Sequence, residues 1–213
     1  MCRLAAYTGP DITLQQFLLD PDHSLYKQSW EPRELKYAKF NADGYGFGWY
    51  NQEGIPSTYT SVLPIWSDRN LPALARTLTN SLWLAEVRSA TAGNPVHQFN
   101  TAPFSDNECI FVHNGFIRNF HVQLLPEITT LLAPAITADI HGNTDSEYLF
   151  ACLRQVLLDN QGLGLAEALL QLFEWLTARL TDTESLLNFI VTDGERLYAC
   201  RHGFNHECAS LYY

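Results

Sequence analysis

Apolar positions change period along the chain, dividing it into a strand-rich front, a helical middle and a closing pair of strands. Residues 4–7 form a short apolar run stopped by Gly9-Pro10, which predicts a buried strand. Asp11 then stands where a cap would open a helix through Leu19, with Ile12, Gln15, Gln16 and Leu19 at helical spacing. Residues 20–45 are polar with scattered aromatics and no period. They predict an ordered long loop, and such loops inside compact domains tend to carry function. Residues 45–50 alternate Gly with aromatics and predict a strand, paired with 58–63 across Asn51-Gln52-Glu53-Gly54. A short helix is expected over 72–78, then a strand over 83–88 running into Ser89-Ala90-Thr91-Ala92-Gly93.

Residues 109–112 are an apolar strand that ends at His113-Asn114-Gly115. Thr144-Asp145-Ser146-Glu147 is a helix-opening signal, with the helix continuing to about Leu158. A second amphipathic helix is predicted over 165–180, with Leu169, Leu172, Phe173 and Leu176 on one stripe. Residues 186–192 and 196–201 suit a hairpin across Asp193-Gly194. There is no internal repeat or linker, so residues 1–213 read as one domain. Strands, then helices, then strands imply an α+β fold with sheet faces covered by a helical pair.

Composition narrows the function classes. The chain has 213 residues, 46% of them hydrophobic, enough to bury a core without staples. Its 13 basic against 23 acidic residues give a net charge of -10, which argues against nucleic acid as a partner. No segment reaches the ~18 consecutive apolar residues of a membrane helix, and no secretory leader is visible. The reducing cytosol is the simplest compartment, with the thiols free. Five cysteines cannot pair completely and lack the C-x-x-C spacing of a zinc or redox site. Cys109, Cys152 and Cys200 lie in apolar runs as small core residues, which leaves Cys208 as an accessible thiol. No metal or organic cofactor is implied.

The lone methionine is Met1, followed directly by Cys2. Removal of Met1 would place a free α-amine and a thiol on one residue, with pKa values of about 8 and 8.5. Such a residue can be its own base and nucleophile. Acyl transfer also needs donors aimed at the developing oxyanion. The Asn114 side-chain amide and the Gly115 N–H could supply them, although Asn-Gly is equally a common turn dipeptide. Arg88 could clamp a carboxylate bidentately or form a surface ion pair. Asp145 could cap its helix or accept from a ligand ammonium. Carboxylate clamp and ammonium acceptor together describe a site for the amino-acid end of a glutamyl group. His113 reads as a packed strand residue, and Arg33 as a solvated one or one that reaches the site from the long loop.

Five segments in order carry a family resemblance. They are Met1-Cys2, Asn41-Ala42-Asp43-Gly44-Tyr45-Gly46-Phe47-Gly48-Trp49, Val87-Arg88-Ser89-Ala90-Thr91, His113-Asn114-Gly115 and Thr144-Asp145-Ser146-Glu147. Together they resemble the class II glutamine amidotransferase domains, which are N-terminal-nucleophile hydrolases. The resemblance implies a four-layer αββα sandwich, with Cys2 as nucleophile and Asn114 with Gly115 as oxyanion hole. It assigns Arg88 to the glutamyl α-carboxylate and Asp145 to the α-amine, with Asp43, Gly44 and His113 in support. Trp30 with its neighbours Gln28 to Arg33, Pro64-Ile65-Trp66-Ser67-Asp68 and Ala102-Pro103-Phe104-Ser105 resemble the ergothioneine-biosynthesis amidohydrolase branch. That branch cleaves the γ-glutamyl amide of γ-glutamyl-hercynylcysteine sulfoxide. Members that pass ammonia onward often carry Trp after the arginine; Ser89 leaves room for a bulkier leaving group. The implied partner is a small γ-glutamyl substrate, with selectivity from the loop between Asp20 and Asp43 and from residues near Trp66. A homo-oligomer is compatible with the sequence. Relatives run further past residues 209–213, so a final hairpin is expected to be missing, leaving 210–213 as an edge strand, or the sheet to be shorter.

Overall fold

The computed structural model describes residues 2–34, 40–90 and 95–213. Strand β1 covers Arg3–Thr13 and passes through Gly9-Pro10 instead of stopping there. Helix α1 (Leu14–Leu18) follows, capped by Thr13 and not by Asp11. Thr13 Oγ1 accepts from Gln16 N–H while Gln16 Oε1 accepts from Thr13 N–H, a reciprocal pair that satisfies two orphaned donors. The long loop contains one helical turn, α2 (Leu25–Gln28), capped by Ser24. Strands β2 (Tyr45–Tyr50) and β3 (Pro56–Ser61) form the expected hairpin, with β3 beginning two residues earlier than predicted. A 3-10 turn at Ile65–Ser67 leads to α3 (Leu71–Thr77) and β4 (Thr79–Val87).

Strand β5 (Phe104–Ser105) precedes β6 (Ile110–Ile117). Thus His113-Asn114-Gly115 is strand interior and not a turn, which corrects the expected strand end. Three short helices, α4 (Phe120–Gln123), α5 (Leu125–Leu131) and α6 (Pro134–Ala138), occupy the proline-broken stretch. Pro126 and Pro134 sit in first turns, where a missing N–H costs nothing. Helices α7 (Asp145–Asp159) and α8 (Leu165–Leu180) follow the predicted periods closely. Strands β7 (Ser185–Thr192) and β8 (Leu197–Phe204) close the fold, with Gly194 at φ +89 in the turn. Residues 207–213 adopt no regular structure, so the expected terminal edge strand is not formed.

The protein is α+β, with two four-stranded antiparallel sheets ordered β1-β4-β2-β3 and β5-β6-β7-β8. Contacts divide it into two units: residues 1–114 with 190–197, and 115–189 with 198–213. In the first unit, one face of β1, β2 and β4 presents Tyr7, Tyr45, Phe47, Trp83, Ala85 and Val87. These pack on Leu14, Leu18, Leu25, Leu71 and Ala75 of the helices. The opposite face presents Leu4, Ala6, Leu82 and Leu84, which pack on Ile110, Val112 and Ile190. The glycine–aromatic alternation of β2 follows from this arrangement. Its aromatics face the helices, and a Cβ at Gly46 would come within 2.3 Å of the Ala102 carbonyl oxygen. Pro10 cannot donate to the ladder, and the β1–β4 register shifts between Thr8 and Ile12. In the second unit, Leu165, Ala168, Leu169, Leu172, Leu176 and Leu180 form the buried stripe of α8. Phe173 stacks on Phe189 of β7 at 5.8 Å between ring centroids.

Candidate active site

Strand pairing assembles the first unit's polar centre. Arg3 pairs with Val87 and Leu4 with Glu86, so one step further along the ladder sets Cys2 beside Arg88 at the strand ends. Alternation puts Leu82, Leu84, Glu86 and Arg88 on one face of β4, and Ile110, Val112 and Asn114 on one face of β6. The apolar members of both rows share a core, so Glu86, Arg88 and Asn114 continue that buried layer as polar groups. His113 is 2% exposed and lies on the other face of β6, tilted against Phe111 at 6.4 Å. It therefore lies on the face of β6 opposite Asn114. Gly115 follows Asn114 in β6 and begins the second unit.

The Cys2 thiol donates to the Ser89 carbonyl at 3.8 Å. Its pKa is raised well above the usual thiol range, first by burial and then by the charge and hydrogen bonding of Glu86. A thiol so placed keeps its proton at neutral pH and needs a base to attack. Glu86 is the functional candidate that the sequence reading missed. Its side chain is 4% exposed, and Oε2 has no hydrogen-bond partner among the described residues. Burial pushes its carboxyl up to about 7, against the pull of the Cys2 thiol and the Arg88 guanidinium. The detectable signal was a carboxylate at an apolar parity position, after Leu82 and Leu84.

Arg88 is held from both sides. Its backbone N–H donates to Gly44 O at 2.8 Å, and its carbonyl accepts from Asp43 N–H at 3.1 Å. Its guanidinium reaches Asp43 O at 3.5 Å and Pro95 O at 3.3 Å. The Asp43 carboxylate accepts from Ala90 N–H at 2.7 Å and so shapes the segment after Arg88. Gly44 has φ +118, and a Cβ there would approach Ser61 O to 2.8 Å, so only glycine fits this crossing. Ser89 Oγ donates to Phe40 O at 3.3 Å, which fastens the end of the long loop to the same segment. Met1 and Thr91 lie outside the described residues.

Asp145 belongs to the second unit. Oδ2 accepts from Ile117 N–H at 2.8 Å and Oδ1 from Ser146 N–H at 2.9 Å, while the cap of α7 is Thr144. The carboxylate is half-buried; Oδ1 also accepts from Ser146 Oγ at 3.4 Å, and Oδ2 keeps a lone pair for a further donor. The five cysteines are free thiols: Cys109 and Cys152 are buried, Cys2 and Cys200 are half-buried and Cys208 is exposed. No group of three metal-ligating side chains occurs among the described residues. No described helix is long and apolar enough to cross a membrane.

Residues 18–210 match the family described as glutamine amidotransferases class-II. The chain belongs to that family. It is 32% identical to the γ-glutamyl-hercynylcysteine sulfoxide hydrolase of Mycolicibacterium smegmatis over 95% of this chain and 80% of the relative. It is 30% identical to a probable glutamine amidotransferase of Saccharomyces cerevisiae, covering 100% of this chain and 67% of that one. Among solved structures, a glutamine aminotransferase class-II domain protein of Silicibacter pomeroyi superposes with a TM-score of 0.65 at 25% identity. That match covers 97% of this chain and 79% of that one. As a family member, the chain is an amide-bond hydrolase.

Proposed function

We propose that the chain hydrolyses a γ-glutamyl amide through Cys2, with γ-glutamyl-hercynylcysteine sulfoxide as its substrate. The supporting observation is the Cys2 thiol lying against Ser89 and Glu86 while Arg88 ends the adjoining strand. Loss of Met1 makes the Cys2 α-amine available as a base for a thiol that does not ionise by itself. Arg88 takes the α-carboxylate of the glutamyl group and Asp145 its α-ammonium. The sulfur attacks the γ-carbonyl carbon, and its proton passes through the α-amine to the leaving nitrogen as the C–N bond breaks. The amine departs and leaves a γ-glutamyl thioester. Water gives its proton to the α-amine and attacks the thioester, the C–S bond breaks, and glutamate and the thiol result. Asn114 and Gly115 donate to the oxyanion in both steps.

The test compares kcat/KM for glutamine with that for a γ-glutamyl-cysteine conjugate and measures the intact mass of the active protein. A higher value for the conjugate and a mass lacking Met1 are expected. Full activity with Met1 retained would overturn the Cys2 mechanism, and preference for glutamine would overturn the substrate. The similarity to a probable glutamine amidotransferase of yeast leaves a second reading, a glutaminase that would supply ammonia to a separate synthase. Ammonia incorporation seen only when a partner is added would support that reading.

A further inference from the structure

Four aromatic side chains, Tyr26, Trp30, Phe40 and Trp66, line a cavity of about 420 Å³ in the first unit. Phe40 and Trp66 meet edge to face with ring centroids 6.5 Å apart. Trp30 is 44% exposed, Phe40 52% and Trp66 38%, which is unusual for rings gathered at one place. Each is carried on a firmly anchored frame. Leu25 is buried beneath Tyr26, and Ser29, beside Trp30, donates to Tyr26 O at 2.6 Å. Asn41 N–H, next to Phe40, donates to Ser29 O at 2.7 Å. Buried Ile65 precedes Trp66, and Asp68 accepts from Tyr45 Oη at 2.9 Å and Tyr59 Oη at 2.5 Å. The chain that carries each ring is therefore anchored by burial or hydrogen bonds of its neighbours.

The backbone of Phe40 is linked through Ser89 to the thiol. Phe40 O accepts from Ser89 Oγ, and Ser89 O accepts from the Cys2 thiol. Arg3 donates from Nη1 to Cys2 O at 3.0 Å and from Nη2 to Glu34 O, which links the loop bearing Trp30 to the start of β1.

We propose that these four rings form a cation–π site for a quaternary ammonium on the leaving-group side of Cys2. A methylated ammonium has no N–H to donate, so hydrogen-bonding side chains cannot select it, whereas the faces of aromatic rings can. Resting on the γ-glutamyl conjugate reading above, the occupant is the trimethylammonium of the hercynyl group. The Mycolicibacterium smegmatis relative is a γ-glutamyl-hercynylcysteine sulfoxide hydrolase. The rings would distinguish trimethylated from unmethylated histidine conjugates, a choice that Arg88 and Asp145 at the glutamyl end cannot make.

The test uses two readouts. Titration of the Cys2→Ala protein with N,N,N-trimethylhistidine, followed by tryptophan fluorescence, is expected to give saturable quenching, with histidine binding at least tenfold more weakly. Equal binding of the two, or no quenching by either, overturns the site. The second readout is the ratio of kcat/KM for a γ-glutamyl conjugate bearing trimethylammonium to that for its tert-butyl carbon isostere. Trp66→Ala should lower this ratio about tenfold, and Trp66→Phe should restore most of it. An unchanged ratio in a folded Trp66→Ala protein overturns the site while leaving the hydrolase reading intact. Selective binding by the Cys2→Ala protein, with no conjugate hydrolysed by the wild type, would retain the site and overturn the reading.

Discussion

Glu147 and Glu86 are both nearly shut off from water, and burial raises the pKa of each, yet their surroundings differ. Glu147 takes His141 N–H on one oxygen at 2.9 Å and Gly142 N–H on the other at 2.8 Å. It thereby fixes the chain that leads into α7. Glu86 faces the Cys2 thiol and the Arg88 charge, and its Oε2 has no partner among the described residues. Unsatisfied buried oxygens are costly, so one kept beside a nucleophile invites a chemical reason. The charge and hydrogen bonding of Glu86 add to burial in holding the Cys2 thiol protonated. Burial is common to both carboxylates; hydrogen-bond satisfaction separates them.

Four experiments test the contrast, in descending size of effect. Cys2→Ala should lower turnover by a factor on the order of 10⁴ or more while substrate still binds, measured by single-turnover assay and calorimetry. Retained turnover would leave Glu86 with no reacting group to serve. Asn114→Ala, on the same buried layer, should reduce kcat by about a hundredfold or more with little change in KM. An unaltered kcat would remove Asn114 from the oxyanion site.

Glu147→Ala should cost about 2 kcal/mol in urea unfolding, because two N–H groups lose their acceptors. Its kcat should match the wild type under conditions where the variant is folded, and a fall in kcat would end the division of roles. Glu86→Gln should act on stability with the opposite sign. Because the folded-state pKa is raised from 4.5 to about 7, the folded protein holds the proton more tightly across that window. Wild-type stability should therefore fall as pH rises from about 4.5 to 7, and Glu86→Gln should flatten the fall and unfold later at pH 8. The same variant should speed Cys2 alkylation at pH 7 severalfold, since the neighbouring negative charge is gone. Slower alkylation would reverse the electrostatic assignment.

Much of the framework was legible in the one-dimensional pattern. The period of α8 and the capping signal at Thr144 are local, so they survive folding unchanged. The cap of α1 was misplaced because Thr13 and Gln16 outcompete Asp11 by forming a two-way pair. The strand through His113-Asn114-Gly115 was read as ending early, because Asn-Gly reads as a turn until neighbouring strands supply hydrogen bonds. Loop residues near Trp30 and Trp66 were marked for selectivity, but nothing in their spacing announces one cavity lined with Tyr26 and Phe40.

The sequence by itself determined which residues are candidates for chemistry: a cysteine at position 2, an arginine closing an apolar strand, and an Asn-Gly pair among hydrophobic residues. Tertiary structure decided which of these meet. Antiparallel register sets Cys2 beside Arg88 across 86 residues of chain and turns Glu86 toward the thiol. Side-chain period is a local property of the backbone, whereas register and burial arise only when distant strands pair and exclude water.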